Sequence, residues 1–102
     1  MASRLKLHEE LCEVLGTKNC YFQPPESLKL KYPCIVYSMY RINTKFADNK
    51  VYNKVSQYTV TFIHKDPDDT ISDDILDRFS NCRMDRRFTS DNLYHDVFTL
   101  YY

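Results

Sequence analysis

Three histidines (His8, His64 and His95), four cysteines and six aspartates between residues 66 and 77 are the side chains with which this sequence could do chemistry. His8 and Cys12 stand four apart, a spacing that sets two metal ligands on one helix face. A zinc protease needs His-Glu-x-x-His there, and the fifth position is instead Cys12, whose place beside Leu11 predicts burial. His64-Lys65-Asp66 and His95-Asp96 are sequence neighbours. Adjacent strand residues point to opposite faces, so neither pair is a ready-made dyad. No serine sits in a nucleophile elbow, which needs glycines, and Gly16 is the chain's single glycine. The same shortage excludes a dinucleotide fingerprint and a Walker-type phosphate loop, where bare backbone must approach the phosphates.

Asp66, Asp68, Asp69, Asp73, Asp74 and Asp77 lack the glycine and the closing glutamate of a helix-loop-helix calcium site, and read as a solvated helix start. Cys12, Cys20, Cys34 and Cys82 are separated by 8, 14 and 48 residues, without a C-x-x-C pair. They are expected to be buried free thiols. The reading is therefore of a chain with no catalytic residues, no cofactor and no metal.

The elements that position these side chains follow from periodicity. Leu7, Leu11, Val14 and Leu15 predict a helix over about residues 4–15, stopped by Gly16. A short strand is expected at 19–22, and Pro24-Pro25 then holds the chain extended. The β-branched and aromatic run 32–42 predicts a second strand. Tyr58, Val60 and Phe62, alternating with Gln57, Thr59 and Thr61, predict a third over about 55–65. Between them Asn43–Lys54 reads as an overlong hairpin loop. Thr70 is the expected N-cap of a second helix, with Asp73 completing a near-capping-box and Ile71, Ile75, Leu76 and Phe79 buried. Strands at 82–89 and 94–102 close the chain, joined by a turn at Ser90-Asp91-Asn92-Leu93. The 102 residues suit one domain, 1–102. The class is α+β, in the order α-β-β-β-α-β-β, with two helices packed on one face of a mainly antiparallel four- to five-stranded sheet. The other face is left to meet solvent or another molecule.

Fourteen basic and fourteen acidic side chains leave a net charge of zero, which argues against coating a nucleic-acid backbone. No signal peptide and no apolar run long enough for a membrane span is visible, so synthesis in a reducing cytoplasm is expected. The charges are segregated, however. Residues 66–77 hold six aspartates and no cation, while 78–87 hold Arg78, Arg83, Arg86 and Arg87 against Asp85 alone. Nine tyrosines and six phenylalanines make the chain 15% aromatic, more than so small a domain can fully bury. Together these features predict interaction surfaces. The candidate interface residues are Phe46, Asp48, Asn49 and Tyr52 in the long loop, Asp68 and Asp69, Arg83, Arg86 and Arg87, and Tyr94.

Tyr21-Phe22-Gln23-Pro24-Pro25, the run from Leu30 to Tyr37, Lys45-Phe46-Ala47-Asp48-Asn49, Tyr58-Thr59-Val60-Thr61, Lys65-Asp66-Pro67-Asp68 and the close from Asp91 to Tyr102 resemble a family of small tailed-bacteriophage neck or tail-completion proteins. The resemblance covers nearly the whole chain, and the final hairpin and the Lys-Phe-Ala-Asp-Asn segment are its most specific parts. At Tyr94 the family commonly carries a small polar residue. The resemblance implies a tail-terminator-like fold and a structural virion protein of a long-tailed phage. Such a protein forms a ring, usually six-fold, at the head–tail neck. It completes or caps the tail and joins it to the capsid, with the tail tube, head connector and neck proteins as partners. It implies no catalytic residues, no sequence-specific nucleic-acid binding and no membrane. The alternative reading is a small monomeric adaptor module that binds one protein partner.

Overall fold

The computed structural model describes residues 4–47 and 50–102, with side chains described outside 41–55. Helix α1 spans Arg4–Leu15 and buries Leu7, Leu11 and Leu15 along one face. Gly16 ends it at φ 82°, its amide donating to the Cys12 carbonyl at 2.8 Å. This is the left-handed stop that a residue without a Cβ adopts at little cost. Strand β1 is Cys20–Phe22, β2 is Cys34–Ala47 and β3 is Lys50–His64. Helix α2 is Ile71–Arg78, followed by β4 at Cys82–Ser90 and β5 at Leu93–Tyr101.

The five strands form one sheet in the order β1-β2-β3-β5-β4. The β1–β2 pair is parallel and the other three pairs are antiparallel. The molecule is thus α+β in the expected element order. Cross-strand register decides which residues share a face. Ile35, Tyr37 and Met39 on β2 stand opposite Phe62, Val60 and Tyr58 on β3, and Val60 and Tyr58 stand opposite Phe98 and Leu100 on β5. These residues form the main core with Leu7, Leu11 and Leu15 of α1 and with Ile75 and Phe79 at α2. The helices do not make an even layer over the sheet: α1 meets β1, β2 and α2, whereas α2 meets α1 and β4. Tyr102 ties the assembly together. Its hydroxyl donates to Glu10 of α1, and its backbone pairs with Ser56. Burial and the Glu10 carboxylate push the Tyr102 phenol up to about 12, so it remains a donor at neutral pH.

On the opposite face, Cys34, Ile63 and Leu93 form a small second cluster with Tyr21, Leu30 and Val36. Elsewhere on that face Ser38, Thr59, Thr61, His95 and Val97 are half-buried, and Gln57 and Thr99 are buried. We call it the open face.

Two expectations change. Most of Asn43–Lys54 is strand rather than loop, because β2 continues to Ala47 and β3 begins at Lys50. The β1 pairing stops at Tyr37, and the C-terminal residues follow β3 only as far as Ser56, beyond which the described pairing is between β2 and β3. Antiparallel pairing satisfies the backbone groups along the shared seam of such a ribbon whatever its side-chain pattern, so no core-facing alternation is needed. Second, the last turn is a two-residue one. Asp91 and Asn92 take φ of 53° and 63°, and Ser90 pairs directly with Leu93. That is the left-handed turn matched to strand twist, here built from Asp-Asn.

Candidate functional site

Strand β4 is an edge strand with two differently equipped faces. Arg83, Arg86 and Phe88 stand opposite Thr99, Val97 and His95 of β5, on the open face. Met84 and Arg87 stand opposite Phe98 and Asp96, on the helix face. The register shifts between Met84 and Arg86. This bulge sets Asp85 as the extra residue and puts Arg83, three residues before Arg86, on the same side as Arg86. Strand alternation then divides the arginines that sequence grouped together, with Arg83 and Arg86 on one side and Arg87 on the other.

The helix-face side is a closed polar lock. Asp96 is 0% exposed and His64 1% exposed. Arg87 grips the carboxylate with Nε at 2.5 Å and Nη2 at 2.9 Å, and its Nη1 donates to the Pro67 carbonyl at 3.4 Å. Ser72 of α2 donates its hydroxyl to Asp96 Oδ2 at 2.6 Å. His64 Nε2 lies 3.0 Å from the same oxygen, and Nδ1 lies 2.8 Å from the Asp66 carbonyl. The imidazole is stacked between Phe62 and Tyr94, at 4.4 and 5.6 Å, and the Arg87 guanidinium lies over Tyr94 at 5.8 Å. Burial pushes the Asp96 carboxyl upward, but the hydrogen bonds from Arg87, Ser72 and His64 outweigh it and hold the group below the usual carboxylate range.

Serine, histidine and aspartate are all present here, yet the order is wrong for nucleophilic catalysis. A triad places histidine between serine and aspartate, whereas here the carboxylate is central and Ser72 donates to it. A dent of ≈ 170 Å³ borders His64, lined with Tyr32, Lys65, Asp66 and Asp69, and Ser72 is not in its wall. The thiols are equally quiet. Burial pushes Cys34 and Cys82 up to about 11 and raises Cys20 as well. All four are free, with Cys20 and Cys34 buried and Cys12 and Cys82 only half-buried. Among the described residues no group of three or more His, Cys, Asp or Glu side chains is placed to hold a metal ion. Among them, too, no helix is long and apolar enough to cross a membrane.

The open-face side of β4 is exposed. Phe88, 39% exposed, stacks on His95 with ring centres 4.7 Å apart and planes at 11°. The Arg86 guanidinium lies 5.3 Å from the Phe88 ring centre, a cation–π arrangement. Arg83 pairs with Asp85 at 3.0 Å, and Thr99 donates to the other Asp85 oxygen at 2.5 Å. The Thr99 hydroxyl, aided by Arg83, outweighs the burial penalty on Asp85 and holds its carboxyl low.

The acidic segment lies with the helices. Asp66 Oδ1 accepts from the Asp68 amide at 2.9 Å, closing the turn before α2. Asp69 Oδ1 accepts from the Ile71 amide at 2.8 Å, while Thr70 makes no side-chain cap bond. The expected Thr70–Asp73 capping box is therefore replaced by an Asp69 cap, because Thr70 has a helical backbone rather than the extended one a cap requires. Arg78 bridges the two helices to Glu10 at 3.3 Å and Glu13 at 2.6 Å. Beside it, Glu13, Val14, Asp74, Asp77 and Arg78 line a shallow hollow of ≈ 400 Å³ between α1 and α2.

The candidate interface residues thus separate. Arg83 and Arg86 are exposed on the open face, and Asp68 is exposed on the turn. Asp69 is half-buried as a cap. Arg87 and Tyr94 belong to the lock: the guanidinium is held by Asp96, and Tyr94 is half-buried against His64. Phe46 and Tyr52 fall on β2 and β3 in the ribbon, and their side chains lie outside the described residues, as do Asp48 and Asn49 altogether. Sequence reasoning missed Ser72, Phe88 and the His64–Asp96 contact. Its alternating pattern assigned faces but could not pair residues 32 apart. No protein-family model matches the chain, and no curated protein sequence matches it either.

Proposed function

We propose that this chain is a structural virion protein of a long-tailed phage. It forms a ring of its own copies at the head–tail neck, completes or caps the tail, and joins it to the capsid. The reading rests on the near-whole-chain sequence resemblance, and one structural observation carries it further. The exposed arginines Arg83 and Arg86 lie on the open face of the sheet, whereas the exposed aspartates of α2 lie with the helices beyond the opposite face. Surfaces of opposite charge on opposite sides of one molecule suit a heterologous contact, in which one side of a copy meets a different side of the next. Such contacts close into a ring when the rotation per copy is an integral fraction of a turn, here six-fold. Exposed pairs contribute only ~0–1 kcal/mol each, so charge orients the encounter while aromatic surface holds it.

In this reading the protein acts by assembly rather than catalysis, binding itself, the tail tube and the head connector, without a cofactor or metal. The test is the mass of the purified protein in solution, with electron microscopy of the concentrated sample. A ring population that grows with concentration is expected. A monomer at every concentration that still captures a single protein partner identifies an adaptor and contradicts the proposal.

A further inference from the structure

The ring reading leaves open how one copy holds the next, and the inference below rests on that reading. We propose that Arg86 and Phe88 on the open face of one copy seat in the hollow between α1 and α2 of its neighbour. Three features of the donor side point there. Phe88 is a large apolar side chain left exposed at the sheet edge, and His95 holds its ring by stacking from behind. Arg86 covers the ring and has no carboxylate ion pair among the described residues. Arg86 and Phe88 stand two apart in the regular pairing that runs from the Asp91–Asn92 turn, so the strand presents both on the open face. Cation plus rigid aromatic is the composition of a residue pair that anchors an interface.

The receiving side has the complementary chemistry. Val14 offers an apolar wall, and Asp74 and Asp77 supply carboxylates that are exposed and have no cation partner among the described residues. Arg78, the one cation in the hollow, is already neutralised by Glu10 and Glu13. A continuous polyanion such as DNA fits the donor side less well. Asp85 lies between Arg83 and Arg86 and is kept ionised by its partners, so a phosphate chain would meet a fixed negative charge. A copy of the chain itself carries the required discrete carboxylates. Donor and receiver lie on opposite sides of the sheet, so the contact repeats head to tail.

The test uses two full-length variants, Arg86→Ala/Phe88→Ala and Asp74→Ala/Asp77→Ala, each checked for wild-type circular dichroism and melting. At about 1 mM, where a contact worth only ~4 kcal/mol is half-formed, the wild type is expected to sediment as closed oligomers. Each variant alone should self-associate about tenfold or more weakly. Mixed in equal amounts, each variant lends the surface the other lacks. They should form one-to-one pairs that grow no further, as only a head-to-tail contact allows. If the wild type assembles and either variant assembles as well as it does, this contact is wrong while the ring reading stands. A monomeric wild type at this concentration overturns both. Retention of a DNA oligonucleotide that depends on Arg86 and Phe88, with assembly unchanged, reassigns the surface to nucleic acid and overturns the proposal.

Discussion

Arg87 reaches from β4 into the helix side of the sheet and ends on the buried carboxylate of Asp96, while Arg86, one residue earlier, lies over Phe88 on the exposed side. The first is held by a fork of hydrogen bonds and shares its acceptor with His64 and Ser72, so three separate elements depend on it. The second is exposed and lies over the Phe88 ring. Two identical side chains with opposite circumstances follow from the period-two alternation of a strand, while the bulge at Asp85 brings Arg83 onto the same side as Arg86. The comparison separates a buried polar lock from the exposed side to which we assign the proposed contact between copies, within a single strand. It also implies that substitutions on one side should be read in melting curves and those on the other in association.

The lock is where the largest effect is expected. Asp96→Ala leaves His64, Ser72 and Arg87 without their common acceptor, two of them buried. Breaking a buried charged network in this way costs about 3–5 kcal/mol, which urea denaturation of the variant would measure. A loss within experimental error would mean that the lock contributes no stability and would erase the contrast with Arg86.

Acid should weaken the same site. Because the Asp96 carboxyl is held below its ordinary value, the unfolded chain binds more protons than the folded one between the two values, and stability rises with pH there. The contribution is complete above the unfolded carboxylate value of about 3.9 and is lost as pH falls through the folded one. Asp85 adds a smaller effect of the same sign, diminished by solvent. Urea midpoints measured below about pH 5 should therefore fall steeply in the wild type and less steeply in Asp96→Asn. Equal slopes would show that the lock does not hold that proton balance.

The smallest effect sharpens the comparison by fixing register. The Asp91–Asn92 turn sets the pairing that places Arg86 outward and Arg87 inward. Asn92→Gly removes a side chain from a left-handed position and should raise stability by about 0.5–1 kcal/mol, without changing association. Altered association in that variant would mean that the turn itself contacts the neighbouring copy.

Much of this architecture is legible in the residues. Leu7, Leu11 and Leu15 mark α1 at a helical period, Gly16 marks its end, and Tyr58, Val60 and Phe62 mark the inward face of β3. Local pattern fails where the decisive relation is between distant residues. His64 and Asp96 each draw notice beside a sequence neighbour, Asp66 and His95, yet their contact is made across strands. The ribbon beyond Tyr40 lacks the alternation of a core strand and so reads as loop. The arginine cluster looks uniform because composition carries no trace of strand alternation or of the bulge that aligns Arg83 with Arg86. What sequence conveys is which residues are apolar and how often they recur; which face a strand shows after a bulge depends on its neighbour.

The most direct test of the division between the two arginines is a paired measurement on Arg86→Glu, by urea denaturation and by sedimentation velocity across a concentration series. The account predicts a midpoint within about 0.5 kcal/mol of the wild type, as for an exposed side chain without buried partners, together with loss of self-association. An Arg86→Glu protein that associates like the wild type, or one that unfolds as Asp96→Ala is expected to, contradicts it.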